Sequence, residues 1–364
     1  MTMNTVASNK FKSGMIKLFW ITVGWTAIAT FQFWTVYANL VNFNCDMEGL
    51  PFTFFLKNSV RTGIMAGILG GSTVVFIWEE WLRVKNYALA LFSIFWSYSL
   101  LYILISFING IAINGRAQGY SVFDPHPWRL TIRHLISGNE ANSYIFWLFV
   151  VLGTLIILQV RDKYGPGIFT AFLLGKYFRP KREERIFMFL DLRSSTSIAE
   201  KLGEELYFGF LKNVFQHATP AIINSKGEIY QYVGDEIVIS WKMDNGLANA
   251  NCLRCFFDIQ LALRRKAGYY QEAYNVIPEF KAGLHYGYVM AGEVGVVKRD
   301  IAYSGDVLNT AARIQAKCNE MGVNILLSKF LLDRLALPPH SFEPRKIGDL
   351  SLRGKQEKVV LYTV

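Results

Sequence analysis

Residues 186–196 read Ile186-Phe187-Met188-Phe189-Leu190-Asp191-Leu192-Arg193-Ser194-Ser195-Thr196. The apolar run Ile186–Leu190 has the length and residue types of a buried strand, and it ends on a carboxylate, Asp191. Ser194–Lys201 then reads as a helix, and Glu204–Asn224 as a second. Glu228–Val233 and Ile237–Trp241 flank Gly234-Asp235-Glu236, the pattern of a β-hairpin with a tight turn. Gly246–Ala267 is helical in pattern, Phe280–Tyr286 and Tyr288–Gly292 are strands, and Asp306–Asn319 is a helix. Asn324–Ser328, Phe342–Leu350 and Val359–Val364 supply the closing strands. Strand–helix–strand-hairpin–helix–strand is the ferredoxin-like βαββαβ order, so residues 186–364 are expected to form an α+β domain.

Upstream the physics changes. The charged run Arg179–Arg185 (RPKREER) marks a boundary, and residues 161–185 read as a juxtamembrane linker. Gly165-Pro166-Gly167 stops a helix there, and Ile168–Phe178 is apolar enough to lie along a membrane surface. This junction is either a passive tether or a transducer of rearrangements from the preceding segment. Residues 1–160 hold four long apolar runs, Leu18–Val41, Val60–Trp78, Tyr87–Ile113 and Tyr144–Val160. Crossing a bilayer takes about 20 such residues, so the runs read as a bundle of about four transmembrane helices. Gly63, Gly67, Gly70 and Gly71 in the second run let helices approach closely. The chain is 52% hydrophobic and only 18% charged, which excludes a disordered protein or a disulfide-stapled module. The first run is too long for a signal-peptide core.

Lys10, Lys12, Lys17, Arg83, Lys85 and the basic residues from Arg161 to Arg185 flank one side of these runs. Lys57, Arg61, Arg116, Arg129 and Arg133 fall on the other. Positive charge favours the inner side, so a multi-pass protein of the cell (inner) membrane with a cytoplasmic C-terminal domain is expected. The outer loop Ser121–Ser137 reads as a short interfacial helix, with a ligand-sensing surface as the alternative; an unidentified ligand of the membrane half is therefore one partner to consider. The net charge of +10 comes from 38 basic and 28 acidic residues without a basic run interleaved with aromatics, so nucleic acid is not an expected partner. Cys252 and Cys255 have CxxC spacing but lie in one helical stretch with no second pair, and read as packed thiols rather than a zinc site. His285, in an alternating strand, reads as structural.

Asp191 at a strand end and Asp235 at a hairpin tip can face one another if their strands are neighbours. Two hard carboxylates, with water and phosphate oxygens completing the shell, suit Mg²⁺. Each aspartate alone is weak, because turns are full of them. Asn309 and Arg313, four apart in Tyr303–Arg313 (YSGDVLNTAAR), share one helix face. An amide beside a guanidinium suits a sugar oxygen beside a phosphoryl oxygen, although an exposed polar face has the same spacing.

Taken together, Phe189–Thr196 (FLDLRSST), Tyr232–Glu236 (YVGDE), Gly283–Gly287 (GLHYG) with Ala291–Gly295 (AGEVG), and Tyr303–Arg313 resemble the class III nucleotidyl cyclase catalytic domain over about residues 183–364. The resemblance implies that Asp191 and Asp235, with the Leu192 carbonyl, bind two Mg²⁺ or Mn²⁺ ions per site. It implies that Asn309 orients the ribose and that Arg313 stabilises charge at the α-phosphate. Arg353 and Lys355 resemble the family's basic contact to the terminal phosphates. It further implies a homodimer with both sites between subunits, since the two half-sites come from different chains.

At the purine the sequence departs from the pattern. Adenylyl cyclases usually place Lys four residues before the second metal Asp, where this chain has Gln231. They usually place Asp or Thr seven residues before the Asn, where it has Ala302. Guanylyl cyclases use a Glu and a small polar residue, which are absent too. The expected activity is a membrane-anchored adenylyl cyclase acting on ATP. The alternatives are a guanylyl or dual-specificity cyclase, and a receptor with a silent cyclase-like domain.

Overall fold

The computed structural model of the chain describes residues 3–42, 52–84, 86–121, 123–164, 174–297, 299–337, 342–351 and 358–364. The chain divides into two compact units, Met1–Lys163 and Tyr164–Val364.

The first unit is helical: α1 (Met3–Asn42), α2 (Phe52–Thr73), a π-turn (Val74–Trp78) leading into α3 (Glu79–Val84), α4 (Tyr87–Gln118), α5 (Pro125–Leu135) and α6 (Gly138–Tyr164). Among the described residues, four stretches are long and apolar enough to cross a membrane: Phe11–Asn39, Phe52–Leu82, Ala88–Gly115 and Glu140–Asp162. Large apolar side chains such as Trp20, Phe31, Trp34 and Leu100 point outward, while Trp25, Val74, Trp78, Ile94 and Leu155 pack inside. Small residues set the closest approach: a Cβ on Gly63 would lie 2.7 Å from the Thr26 Cα, and one on Gly67 would lie 2.6 Å from the Thr22 Cα. Arg61, read from sequence as an outer flank, lies well inside α2 instead, and its Nη2 donates to Asn109 Oδ1 at 2.7 Å. A guanidinium in this setting needs a polar partner, and α4 supplies one. The short helix expected in the outer loop is α5, capped by Asp124, whose carboxylate accepts from the His126 N–H at 2.9 Å.

The second unit is a mixed sheet with helices on both faces. Its strands are β1 (Lys181–Leu192), β2 (Glu228–Val233), β3 (Glu236–Lys242), β4 (Phe280–Val294), β5 (Asp300–Ser304), β6 (Ile325–Ser328), β7 (Arg345–Ser351) and β8 (Lys358–Thr363). The order is β2-β3-β1-β4-β6-β8-β7, with β5 paired to β4; β2-β3-β1-β4 is the antiparallel ferredoxin-like core. Helices α7 (Ser195–Leu202), α8 (Glu204–Asn224), α9 (Met243–Leu247), α10 (Asn251–Arg264) and α11 (Ala267–Tyr274) precede β4; α12 (Asp306–Glu320) and α13 (Lys329–Leu332) follow β5.

Central strand β1 is buried on both faces, which is why its sequence is a continuous apolar run. Ile186, Met188, Leu190 and Leu192 pack with Phe210 and Val214 of α8 and Leu253 and Phe256 of α10. Phe187 and Phe189 face the other way, toward Val307 and Ala311 of α12. Side chains alternate along a strand, so Asp191 falls on the α12 side.

Two of the expected strands have other bounds in the structure, and β5 is a strand that the sequence reading did not include. β1 begins at Lys181, inside the charged run, because Arg185 is 1% exposed and fully engaged. Its guanidinium donates to Glu183 at 2.9 Å, Glu228 at 2.7 Å and Ser240 at 3.1 Å, and stacks over Tyr303. Burial pulls the Glu183 carboxyl upward, but hydrogen bonds from Lys176 and Arg185 outweigh it and bring it down to about 2. β4 is one strand through Gly287, because β1 pairs with it without a break from Lys181↔Ala291 to Leu192↔Phe280.

Helix α12 lies close to β4 at Gly283. A Cβ there would meet Ala311 O at 2.6 Å and also the Gln315 backbone N. Replacing Gly283 with alanine should therefore force α12 off the sheet and destabilise the domain by about 1–3 kcal/mol. Gly268→Ala, with nothing within 4 Å of the new methyl group, should leave stability unchanged or raise it. Thermal unfolding of the two purified variants checks this; equal midpoints would contradict the close approach.

Candidate active site

Asp191 stands near the C-terminal end of β1, and Asp235 sits in the two-residue turn joining β2 to β3. Gly234, with φ of 62°, provides the left-handed conformation this turn needs. β3 is the direct neighbour of β1, with Asp191 opposite Glu236, so the turn delivers Asp235 beside Asp191.

The two carboxylates feel one another. Burial, reinforced by Asp235, raises the Asp191 carboxyl, while the Lys281 ammonium pulls it back. Burial, with Asp191 and Asp235 adding to it, pushes Glu236 up to about 7. Lys281 Nζ lies 2.9 Å from Asp191 Oδ2, and Gln315 Nε2 donates to the same oxygen at 2.9 Å. Asp235 Oδ2 is buried and has no hydrogen-bond partner among the described residues. An unsatisfied buried carboxylate oxygen costs more than a neutral one, and a cation relieves it.

This donor set fits a hard divalent ion. Among the described residues no group of three or more His, Cys, Asp or Glu forms a closed metal cage. A pair of aspartates with open positions matches Mg²⁺ or Mn²⁺, which keep water and phosphate oxygens as ligands. Leu192, the last residue of β1, buries its side chain in the core, so only its backbone is available to such an ion.

Asn309 and Arg313 are not brought to these aspartates. Both are exposed on α12 and make no hydrogen bond or ion pair with the described residues. Val307, Ala311, Ile314 and Gln315 bury the opposite side of the helix. Gln315, two positions past Arg313, is about 200° further round the helix axis. One side of α12 therefore grips Asp191 of its own chain, and the other offers Asn309 and Arg313 outward.

Gln231 is exposed on edge strand β2 and Ala302 is half-buried on β5. No hydrogen bond joins them, but their neighbours Tyr230 and Tyr303 pack at 4.9 Å, and the Tyr303 N–H donates to Tyr230 Oη at 3.3 Å. The two strands thus meet at this level. Arg353 and Lys355 lie outside the described residues, as do Gly165-Pro166-Gly167 and most of Ile168–Phe178. Cys252 and Cys255 are fully buried in α10, and burial pushes both thiols up to about 12, so they are packed thiols. His285 Nδ1 pairs with Ser328 Oγ at 2.7 Å, a bond between β4 and the end of β6.

Sequence reasoning missed Lys281, Glu236 and Gln315. Lys281 and Glu236 were open to inference from register alone, since both lie directly opposite Asp191 on its two neighbouring strands. Gln315 carries no such signal, because its role depends on how α12 docks.

With this geometry established, the relatives of the chain are informative. Residues 179–364 match the family described as adenylate and guanylate cyclase catalytic domain. Adenylate cyclase 2 of Rhizobium meliloti (strain 1021) is 36% identical over 223 residues, covering 61% of this chain and 61% of that protein. An adenylate cyclase of Anabaena cylindrica is 31% identical over 184 residues, covering 49% of this chain and 36% of the relative. The chain thus spans less than two thirds of the length of these curated relatives. Among solved structures, a bacterial light-regulated adenylyl cyclase superposes with a TM-score of 0.54 at 19% identity, covering 63% of this chain and 66% of the other, a likeness of fold. Since the family match takes in half of the chain, including both aspartates and the exposed face of α12, the chain belongs to the adenylate and guanylate cyclase catalytic-domain family.

Proposed function

We propose that this protein is a membrane-anchored adenylyl cyclase that converts ATP to 3′,5′-cyclic AMP and pyrophosphate as a homodimer. The observation that carries this reading is the two-sided use of α12. Asp191 and Asp235 would form one half of a triphosphate site, and among the described residues the Asn309 and Arg313 of their own chain face away from them. Asn309 and Arg313 would form the other half, and among the described residues they have no hydrogen-bond or ion-pair partner. A second copy placed head to tail supplies each half with its complement, giving two equivalent sites.

Asp191 and Asp235, with the Leu192 carbonyl, would hold two Mg²⁺ or Mn²⁺ ions per site. Those ions, when bound, supply Lewis-acid activation of the 3′-hydroxyl and compensate the triphosphate charge. Asn309 of the partner subunit holds the ribose so that its 3′-oxygen lines up with the α-phosphorus. The 3′-hydroxyl gives up its proton to solvent as its oxygen bonds to that phosphorus and the bond to pyrophosphate breaks. Arg313 of the partner subunit meets the charge that develops on the α-phosphoryl oxygens, and Lys281 adds positive charge on the metal-binding side. Gln231 and Ala302 are the candidates to face the purine, and the resemblance assigns Arg353 and Lys355 to the terminal phosphates.

The relatives named adenylate cyclases support ATP as the substrate. Ala302 provides no side-chain hydrogen bond to a purine edge, so discrimination against GTP rests on Gln231 and on backbone groups and is weaker than a polar pair provides. The four apolar helices, with Lys10, Lys12, Lys17, Arg83 and Arg161 near the ends expected to be inner, support anchoring in the inner cell membrane with the cyclase unit in the cytoplasm.

Three measurements on the full chain in detergent test this reading. With Mn²⁺, ATP should yield cyclic AMP faster than GTP yields cyclic GMP; turnover of GTP alone would overturn the substrate. Arg313→Ala should lower turnover about 10²–10³-fold, and mixing it with Asp191→Ala chains should restore one working site per heterodimer. Absence of rescue would count against a shared site. Mn²⁺ at a hundred times its dissociation constant should stabilise the wild type by about 2.7 kcal/mol and leave the melting temperatures of Asp191→Ala and Asp235→Ala unmoved.

A further inference from the structure

We infer that Gln315 is a positioning residue for the metal-binding carboxylate of Asp191, and that α12 thereby ties the two sites of the dimer to one another. The first half of this inference rests on the metal-binding role proposed above for Asp191, and the second on the dimeric reading.

Gln315 is 7% exposed, and its amide donates to Asp191 Oδ2 at 2.9 Å. Lys281 contacts that same oxygen at 2.9 Å from the neighbouring strand. Both contacts use Oδ2, so the carboxylate is clamped from one side and Oδ1 is left to face a cation. A carboxylate without these anchors has a broad terminal torsion and would sample orientations that do not bind a metal. The two anchors differ in kind. Lys281 brings a full charge that offsets the negative charge a cation seeks. Gln315 brings a neutral donor that fixes orientation while leaving that charge in place. Partners that orient a metal ligand in this way typically account for a tenfold or greater change in metal affinity.

Gln315 sits on the helix that carries Asn309 and Arg313, on its opposite side. The backbone at Gln315 is pressed against Gly283 of β4, so the amide cannot shift without the helix. A movement of α12 as Arg313 engages nucleotide in one site is therefore passed to Asp191 in the other. The link between sites is one hydrogen bond at the end of one rigid helix.

The test is Mn²⁺ binding, read by electron paramagnetic resonance on the full chain in detergent without nucleotide. Gln315→Leu keeps the side-chain volume and removes the donor. It should weaken Mn²⁺ binding about tenfold while the far-ultraviolet circular dichroism stays as in the wild type. Unchanged Mn²⁺ affinity would overturn the positioning role. The second arm uses the heterodimer whose single working site takes Asp191 from an Arg313→Ala chain and Arg313 from an Asp191→Ala chain. Gln315→Leu in the Arg313→Ala chain should raise the Mn²⁺ concentration for half-maximal activity about tenfold. In the Asp191→Ala chain, which has no carboxylate for the amide to hold, it should leave that Mn²⁺ requirement alone. Equal shifts in Mn²⁺ requirement from both placements would mean general damage to α12 and would overturn the inference. A heterodimer without activity before Gln315 is changed would instead sink the shared-site reading, with the Mn²⁺ titration of the homodimer still deciding the role of Gln315.

Discussion

The close approach of α12 to β4 at Gly283 is the constraint on which the catalytic unit depends. With no side chain at that position, the backbone of the helix settles directly on the strand, next to Gln315 and Ala311. That depth brings the Gln315 amide to Asp191 and determines which residues of α12 remain outside. Asn309 and Arg313 are left exposed because the helix is already committed on its other side. A single steric fact about one glycine thus sets the surroundings of Asp191 and leaves Asn309 and Arg313 facing outward, the arrangement on which the proposed shared site rests.

The cost of gathering acidic groups is met locally. Asp191, Asp235 and Glu236 crowd the end of β1, where burial disfavours charge. Lys281 offsets part of this from the adjacent strand. What remains is negative and oxygen-rich, with one buried oxygen of Asp235 unpartnered, a setting that a divalent cation improves. At the far end of β1 the balance is different. Arg185 is buried, but Glu183, Glu228, Ser240 and Tyr303 surround it, so that charge is satisfied within the domain. One strand therefore carries a closed ionic cluster near its start and, near its end, a cluster with a carboxylate oxygen that has no hydrogen-bond partner among the described residues.

Much of this was legible in the sequence. The strand before Asp191, the hairpin around Asp235, the helix carrying Asn309 and Arg313 and the long apolar runs follow from period, turn residues and length, all of which are local signals. What escaped was set by tertiary contact. Arg185 looked like linker because a buried guanidinium is recognisable only once its partners are in place. Arg61 looked like an outer flank because its Asn109 partner lies on another helix. β4 looked like two strands because Gly287 suggests a break, yet continuous pairing with β1 carries the strand through. Lys281 and Glu236 flank Asp191 by register, and Gln315 reaches it only through helix docking, so a linear motif could not reveal them.

The helical unit turns Trp20, Phe31 and Trp34 outward, whereas the core of the cyclase unit buries Trp241, Phe187, Phe210 and Phe256. The central claim concerns the second: two aspartates of one subunit and the Asn/Arg pair of another close around one nucleotide. Anomalous diffraction from crystals grown with Mn²⁺ and a non-cyclising ATP analogue measures this most directly. The account predicts manganese peaks between Asp191 and Asp235, with Arg313 of the partner subunit against the α-phosphate. Manganese bound away from the two aspartates, or a nucleotide held entirely within one chain, would contradict it.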